Sequence, residues 1–397
     1  MVTAFIFGIS CERDSLIGDL QSAEEQIQTA IEDSLFAGAV LLVGNSDEIL
    51  YTGSFGFAHR YNSDLSEVEH PEPMSEDYLF DLASLSKVLA TTYGIMILHS
   101  QGQIQTDDRA SKYIPQFDTP EKSEITIEHL LRHISGLRPW FPTYYVASTA
   151  EERLEFIADE SLIESIGQQR NYSDLGFMVL ADIIKDVSGK TLDQFLADEL
   201  YKPLDLSYTG FNPDQNSNQR LVSTSHGNPF EKKMVHDDDF GYHIDIDPHS
   251  WDDWRIYTLR GEVNDGNAFH THDGIAGHAG LFSTASEIYT LLSLMLNGGS
   301  YQDTRIFSEA TISHFLSEDD FGHGMGWMKT ESSLHAKDLP EGSFGHTGFT
   351  GTNIIVSPST DKIMVFLTNR QHVGVDEEGN YPNLRTIRET LSSILLQ

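Results

Sequence analysis

The chain of 397 residues is poor in cysteine: Cys11 stands alone, so no intrachain disulfide can form. It is also poor in bases. Lys and Arg number 25 against 61 Asp and Glu, a net charge of −36. Such a surface repels phosphate backbones and argues against nucleic-acid partners. Solubility and screening of self-repulsion by cations in a salty medium both account for the acidity, and we favour the second. No stretch after the N-terminus reaches the roughly 18–20 apolar residues of a membrane span. Gly-x-Ser-x-Gly is missing, which argues against a nucleophile-elbow hydrolase, and so is a phosphate-cradling Gly-x-x-x-x-Gly-Lys run. No repeat of fixed period appears.

What is present divides the chain into segments. "MVTAFIFGISC" ends in small residues before Cys11. It resembles the tail of a lipoprotein export signal, but has no basic start and only a short apolar run. Residues 1–16 are therefore either a leader with a lipid anchor at Cys11 or a disordered arm, and both an exported and a cytoplasmic location fit. Helical spacing covers 23–36, and 38–58 reads as two strands around Gly44-Asn45-Ser46-Asp47. Helical patterns dominate 84–300, at 84–99, 126–133, 174–187, 191–199 and 284–297. Strands return in "GMGWMKT", "GTNIIVSPS" and "DKIMVFLTN", before a final helical pattern. This order predicts an α/β (α+β) fold. An antiparallel sheet is built from both termini (17–83 and 301–397), with flanking helices and an inserted, mainly helical part at 84–300. The acid-rich 236–254 reads as a long solvated loop.

"FDLASLSKVLATTYGIMIL" (80–98) places Ser84 and Lys87 three apart, on one face of a helix and inside an apolar stretch. A lysine whose pKa is lowered by burial could take the serine proton. The plainer account makes Ser84 a helix N-cap and Lys87 a solvated side chain. The same spacing at Ser359–Lys362 lies in a turn between strands. "RNYSDLGF" puts Tyr172 before Ser173 and Asp174, which can cap a helix, and "FGHTGFTGTNIIV" is a glycine-rich strand that admits a ligand against its backbone. Trp140, Phe141, Tyr144 and Tyr145 form an aromatic cluster, serving as a substrate wall or as loop packing.

Taken in order, Ser84-x-x-Lys87, Tyr172-Ser-Asp and His346-Thr-Gly resemble the serine β-lactamase and penicillin-binding-protein superfamily. The class C β-lactamase-like branch, with its carboxylesterases and D-stereospecific peptidases, fits most closely. "LLRHISGLRPW" and "GIAGHAGLFSTASE" add to the resemblance. It implies that Ser84 is acylated and that Lys87 and Tyr172 share the base work. It further implies that the backbone N–H groups of Ser84 and Phe349 form an oxyanion hole. His346, Thr347, Gly348, Asp174 and Trp140 would then contact substrate.

The implied activity is hydrolysis of an ester or amide in a small-molecule or peptide acyl substrate, without metal or organic cofactor. Carboxylesterase action comes first; D-alanyl-D-alanine carboxypeptidase or weak β-lactamase action is the alternative. Two departures tell against β-lactam turnover. His346 replaces a lysine found in many β-lactamases, and Asp174 replaces their usual asparagine. Two rivals remain. One is a non-catalytic binding protein on the same fold. The other is a metallo-hydrolase using His270, His272, Asp273 and His278 of "HTHDGIAGH".

Overall fold

Both ends of the chain supply strands to one sheet. The computed structural model describes residues 3–215, 219–240, 242 and 244–397, with side chains from residue 16 onward. The side chain of Cys11, and with it the proposed lipid anchor, lies outside the described residues. The long helix α1 (Thr3–Glu32) precedes β1 (Gly38–Gly44), β2 (Ile49–Tyr61) and β3 (Glu67–Pro73). Near the C-terminus come β4 (Phe344–Thr347), β5 (Asn353–Ser357) and β6 (Lys362–Thr368). The six form an antiparallel sheet in the order β4-β5-β6-β1-β2-β3, with Leu41 opposite Phe366 at the central joint between the two halves.

The apolar run of β1 explains its central place. Every residue of "GAVLLVG" is buried, and its alternation deals side chains to two cores. Val40 and Leu42 face one core; Ala39, Leu41 and Val43 face the other. The first core contains Ile288, Leu291 and Leu292 of α5 (Ala285–Leu296). The second is closed by Ile27 and Ile31 of α1 and by Ile387, Leu391 and Leu395 of α6 (Arg385–Leu395). Ser359 and Lys362 flank the β5–β6 turn, where Asp361 adopts φ +50°, so this copy of the spacing is turn chemistry.

The intervening chain carries α2 (Tyr93–Ser100), α3 (Asp174–Ser188) and α4 (Pro229–His236), besides shorter helices. It also carries short strands: Phe80–Asp81 pairs with Leu281–Ser283, which pairs with Gly210–Phe211. Two expectations need correction. "GMGWMKT" forms no strand; it touches the sheet at a single bridge, Met328 to Gly345, because Gly326 turns the chain at φ +79°. The 236–254 segment is irregular, as expected, beyond a short 3-10 turn at Asp238–Phe240, but it is not simply solvated. Tyr242, Ile244, Ile246 and Trp254 pack on Trp140, Met234 and Val235.

Leu42 is fully buried between sheet and helices. Leu42→Ala is expected to cost about 2–5 kcal/mol, read as a lower midpoint of urea unfolding at unchanged slope.

Candidate active site

Ser84 sits on a strained turn. Phe80–Asp81 ends at the chain's entry to a helix, and Ala83, directly before Ser84, holds φ +46° despite its side chain. Residues in this region cost on the order of 1–3 kcal/mol unless their surroundings enforce them. Here the enforcement is visible. The Ala83 amide donates to Asp81 Oδ1 at 2.9 Å, the Asn264 amide donates to Asp81 Oδ2 at 2.6 Å, and the Thr350 hydroxyl donates to the Asp81 carbonyl at 2.7 Å. The following turn is widened into a π-helix, Lys87–Thr92, before α2 begins. π-turns of this kind are frequent at functional sites.

Lys87 is fully buried, which removes the solvated-face account. Its ammonium has three acceptors: Asp174 Oδ1 at 2.6 Å, Ser84 Oγ at 3.1 Å and the His278 carbonyl at 3.2 Å. Its three hydrogens are shared among these groups and the Tyr172 hydroxyl. Nor does Ser84 act as a capping side chain: its Oγ accepts from Lys87 Nζ. The expectation of a lowered lysine pKa is overturned. Burial pulls it down, but the Asp174 carboxylate and Tyr172 outweigh that and hold it above its ordinary value.

Tyr172 arrives through the segment before α3. Ser173 caps that helix, accepting from the Gly176 amide, and Asp174 is the first helical residue. His133 pins the segment from both sides. Its carbonyl accepts from the Asn171 amide and its Nδ1 from the Ser173 amide, each at 2.9 Å, and its ring lies 4.4 Å from that of Tyr172. The Tyr172 ring lies 4.9 Å from Lys87 Nζ. Burial raises the phenol's pKa; the Lys87 charge pulls it down, Asp174 pushes it up, and hydrogen bonds from Ser84 and Lys87 favour the phenolate. The net result is a raised value.

The β4–β5 hairpin completes the group. A Cβ on Gly348 would lie 2.0 Å from Thr352 Oγ1 and 2.5 Å from the Leu82 carbonyl, so only glycine lets this loop close on the Ser84 turn. Phe349 is exposed and lines the cavity. Neither the Ser84 nor the Phe349 amide donates to another group among the described residues, so both are free to bind an oxyanion. His346, expected as a substrate contact, is instead fully buried beside Tyr172, with ring centroids 5.9 Å apart. Burial and the Lys87 charge push its pKa down to about 3, so it is a neutral imidazole and offers a substrate no cation. Like His346, Thr347 and Gly348 do not line the cavity.

The cavity has a volume of about 210 Å³. Ser84, Tyr172 and Asp174 share it with Trp140, Phe230, Met234, Tyr242, Phe349 and Tyr381. Trp140 is thus a wall of the cavity, whereas Phe141 packs on Phe156 at 4.5 Å and Tyr145 on Trp251 at 5.4 Å. Among the described residues no Lys, Arg or His lines it, while Asp174, Glu231 and Asp265 do. Arg370 lies behind Phe349, donating to its carbonyl and packing over the rings of Phe349 and Tyr381.

The metallo-hydrolase quartet does not assemble. His270 packs against Tyr144 and Trp251, and among the described residues the one group able to hold a metal is Asp174, Asp265 and His278. That position is served by the Lys87 ammonium and by the His278–Asp265 pair at 2.9 Å. Asp265, Glu231, Asn264 and His133 were not legible as site residues. Asp265 had one signal, its place before a short helix that it caps at Ala268.

With this geometry in hand, comparison with known proteins agrees. Residues 23–388 match the Beta-lactamase family, and the chain belongs to it. A Bacillus subtilis (strain 168) "N-acetylmuramyl-L-alanine amidase" is 32% identical over 388 residues, 92% of this chain and 84% of that one. An Escherichia coli (strain K12) protein, provisionally named a D-alanyl-D-alanine carboxypeptidase, is 32% identical over 366 residues, covering 87% and 81% of the two chains. Among solved structures, "EstCE1, a hydrolase with promiscuous acyltransferase activity" superposes with a TM-score of 0.67 at 21% identity, over 97% of this chain and 99% of that one. The chain is a serine hydrolase of this family.

Two expected outcomes follow from the geometry. Asp174→Asn removes a charge that raises the pKa of both Lys87 and Tyr172, so the rising limb of the kcat/KM–pH profile should move to lower pH. Gly348→Ala should leave a folded protein whose kcat falls on the order of 100-fold, since the added methyl displaces the oxyanion loop.

Proposed function

We propose that this member of the Beta-lactamase family hydrolyses amides carrying no ionised carboxylate beside the scissile bond, of the N-acetylmuramyl–L-alanine kind, through acyl-Ser84. One observation carries the choice: among the described residues, the cavity over Ser84 is lined by Asp174, Glu231 and Asp265 and by no base. A D-alanyl-D-alanine terminus and a β-lactam both present an ionised carboxylate near the bond to be cut. Binding such a group without a cation, beside Asp174, is electrostatically unfavourable. An amide between a muramic-acid acyl group and an L-alanine whose own carboxyl is amidated, as within a longer peptide, has no such charge, and the Bacillus subtilis relative bears the name of that bond.

The proton inventory supports the following roles. Lys87 is an ammonium with no lone pair to offer, and its hydrogen bond occupies Ser84 Oγ as acceptor. The hydroxyl proton of Ser84 then passes to Tyr172 as Oγ attacks the carbonyl, with the Lys87 charge stabilising the phenolate. The oxyanion rests on the Ser84 and Phe349 amides. Tyr172 returns the proton to the departing amine, and later takes one from the water that attacks the acyl-serine. Because the Tyr172 pKa is raised, the phenolate is a minor species at neutral pH, and turnover rises as the pH increases.

A second reading, carboxylesterase action on short neutral esters, is favoured by the aromatic and Met lining of the cavity. A side-by-side assay separates these readings. Substrates are an N-acetylmuramyl-L-alanine amide, 4-nitrophenyl butyrate, a D-Ala-D-Ala peptide and a chromogenic cephalosporin. The expected order places the amide first, with kcat/KM for the two carboxylate-bearing substrates lower by about tenfold or more. Faster release of D-alanine from the peptide than of L-alaninamide from the muramyl substrate would overturn the assignment. Ser84→Ala should abolish turnover and labelling by a fluorophosphonate while melting near the wild type.

A further inference from the structure

The chemistry above leaves one acid on the cavity wall unused. Glu231, in the first turn of α4, shares the cavity with Ser84. Three donors hold its carboxyl: the Tyr144 hydroxyl on Oε1 at 2.9 Å, the Gly266 amide on Oε2 at 3.0 Å and Asn228 Nδ2 on Oε2 at 3.4 Å. Room for it depends on the absence of a side chain, since a Cβ at Gly266 would lie 2.2 Å from Oε1. A carboxyl group offers about four lone-pair directions, so three donors position it without exhausting it. We propose that Glu231 is a substrate-binding residue that hydrogen-bonds an uncharged oxygen acceptor, such as an amide carbonyl, in the acyl portion of the substrate. This rests on the proposed function, and adds to it that the acyl portion of the substrate reaches Glu231 on the cavity wall.

The surroundings decide which form of Glu231 does this. Burial and the charge of Asp265 push its pKa up to about 8, against hydrogen bonds from Tyr144 and Gly266 and the Arg255 charge. Asp265 faces it from the segment before the helix Gly266–Thr271 and is kept ionised by His278. Arg255 is spent on the Asn228 side chain and on the carbonyls of Val263 and Asn264. Tyr144 faces it from the 3-10 turn Thr143–Tyr145, and Tyr381 from across the cavity. On its own helix, Lys232 lies over Trp254 and Lys233 reaches the Glu378 carbonyl. Two carboxyls, Glu231 and Asp265, thus sit together, and the charge of Asp265 favours the neutral form of Glu231. A neutral acid donates a hydrogen bond to a carbonyl; a carboxylate cannot.

The test uses the full chain and two 4-nitrophenyl esters with one leaving group, those of N-acetylalanine and of butyric acid. The readout is the ratio of their kcat/KM values from pH 7 to 9, in which changes common to both substrates cancel. In the wild type the ratio should favour the N-acetylalanyl ester and fall as the pH passes about 8. Glu231→Gln, which keeps a neutral donor, should hold the ratio level with pH. Glu231→Ala should lower it by about tenfold at pH 7. A ratio unchanged in Glu231→Ala, including an equal loss on both esters, overturns the proposal. So does a Glu231→Gln ratio that falls with pH as the wild type does, and this arm decides alone if melting shows Glu231→Ala unfolded. Failure of the muramyl-amide assignment would appear as no turnover of that amide and leaves this ratio untouched.

Discussion

A fully buried ammonium must be matched by an anion, and the site is organised around that requirement. Lys87 lies buried behind the cavity lining, with Asp174 at 2.6 Å. Stripping water from two such charges costs several kcal/mol each, which their attraction and additional hydrogen bonds must offset. The pair therefore ties the start of α3 to the turn carrying Ser84, and Lys87 also donates to Ser84 Oγ and to the His278 carbonyl. It also supports the proposed proton path: an ammonium held by a carboxylate polarises its neighbours but does not accept a proton, which leaves the phenol beside it as the proposed acceptor.

Backbone devices hold the remaining pieces to that pair. Asp81 accepts from two amides to keep Ala83 in its left-handed conformation. His133 grips the residues on either side of Tyr172. Gly348 lets the β4–β5 loop press on Leu82, while Arg388 of α6 donates to the Thr352 carbonyl of the same loop at 3.0 Å. Each of these is a hydrogen bond or close approach between segments far apart in the chain. Their common effect is rigidity around a serine whose own amide stays unpaired.

Charge carries the same sign outside and inside. The surface potential of a chain with net charge −36 disfavours anions before they arrive, and Asp174 and Asp265 continue that bias to the serine. His346, where related enzymes often place a lysine, is buried and neutral and does nothing to reverse it. The proposed preference for substrates without an ionised carboxylate beside the scissile bond thus draws on the whole field, with the aromatic walls supplying the contact area.

Periodicity and motif order were enough for the two-ended sheet, the helix beginning at Asp174 and the gathering of Ser84, Lys87 and Tyr172. Local patterns encode these directly: an apolar run between two helical segments becomes a central strand, and a Ser-Asp pair after tyrosine starts a helix. What the letters could not show is which groups meet. The raised rather than lowered lysine pKa depends on Asp174, 87 positions away, reaching it within 2.6 Å. Withdrawal of His346 from the cavity, the apolar side of the 236–254 segment and the seating of Glu231 beneath Gly266 are likewise decided by packing. The physical reason is that protonation and access depend on distance and burial, and both are created only when remote segments close on one another.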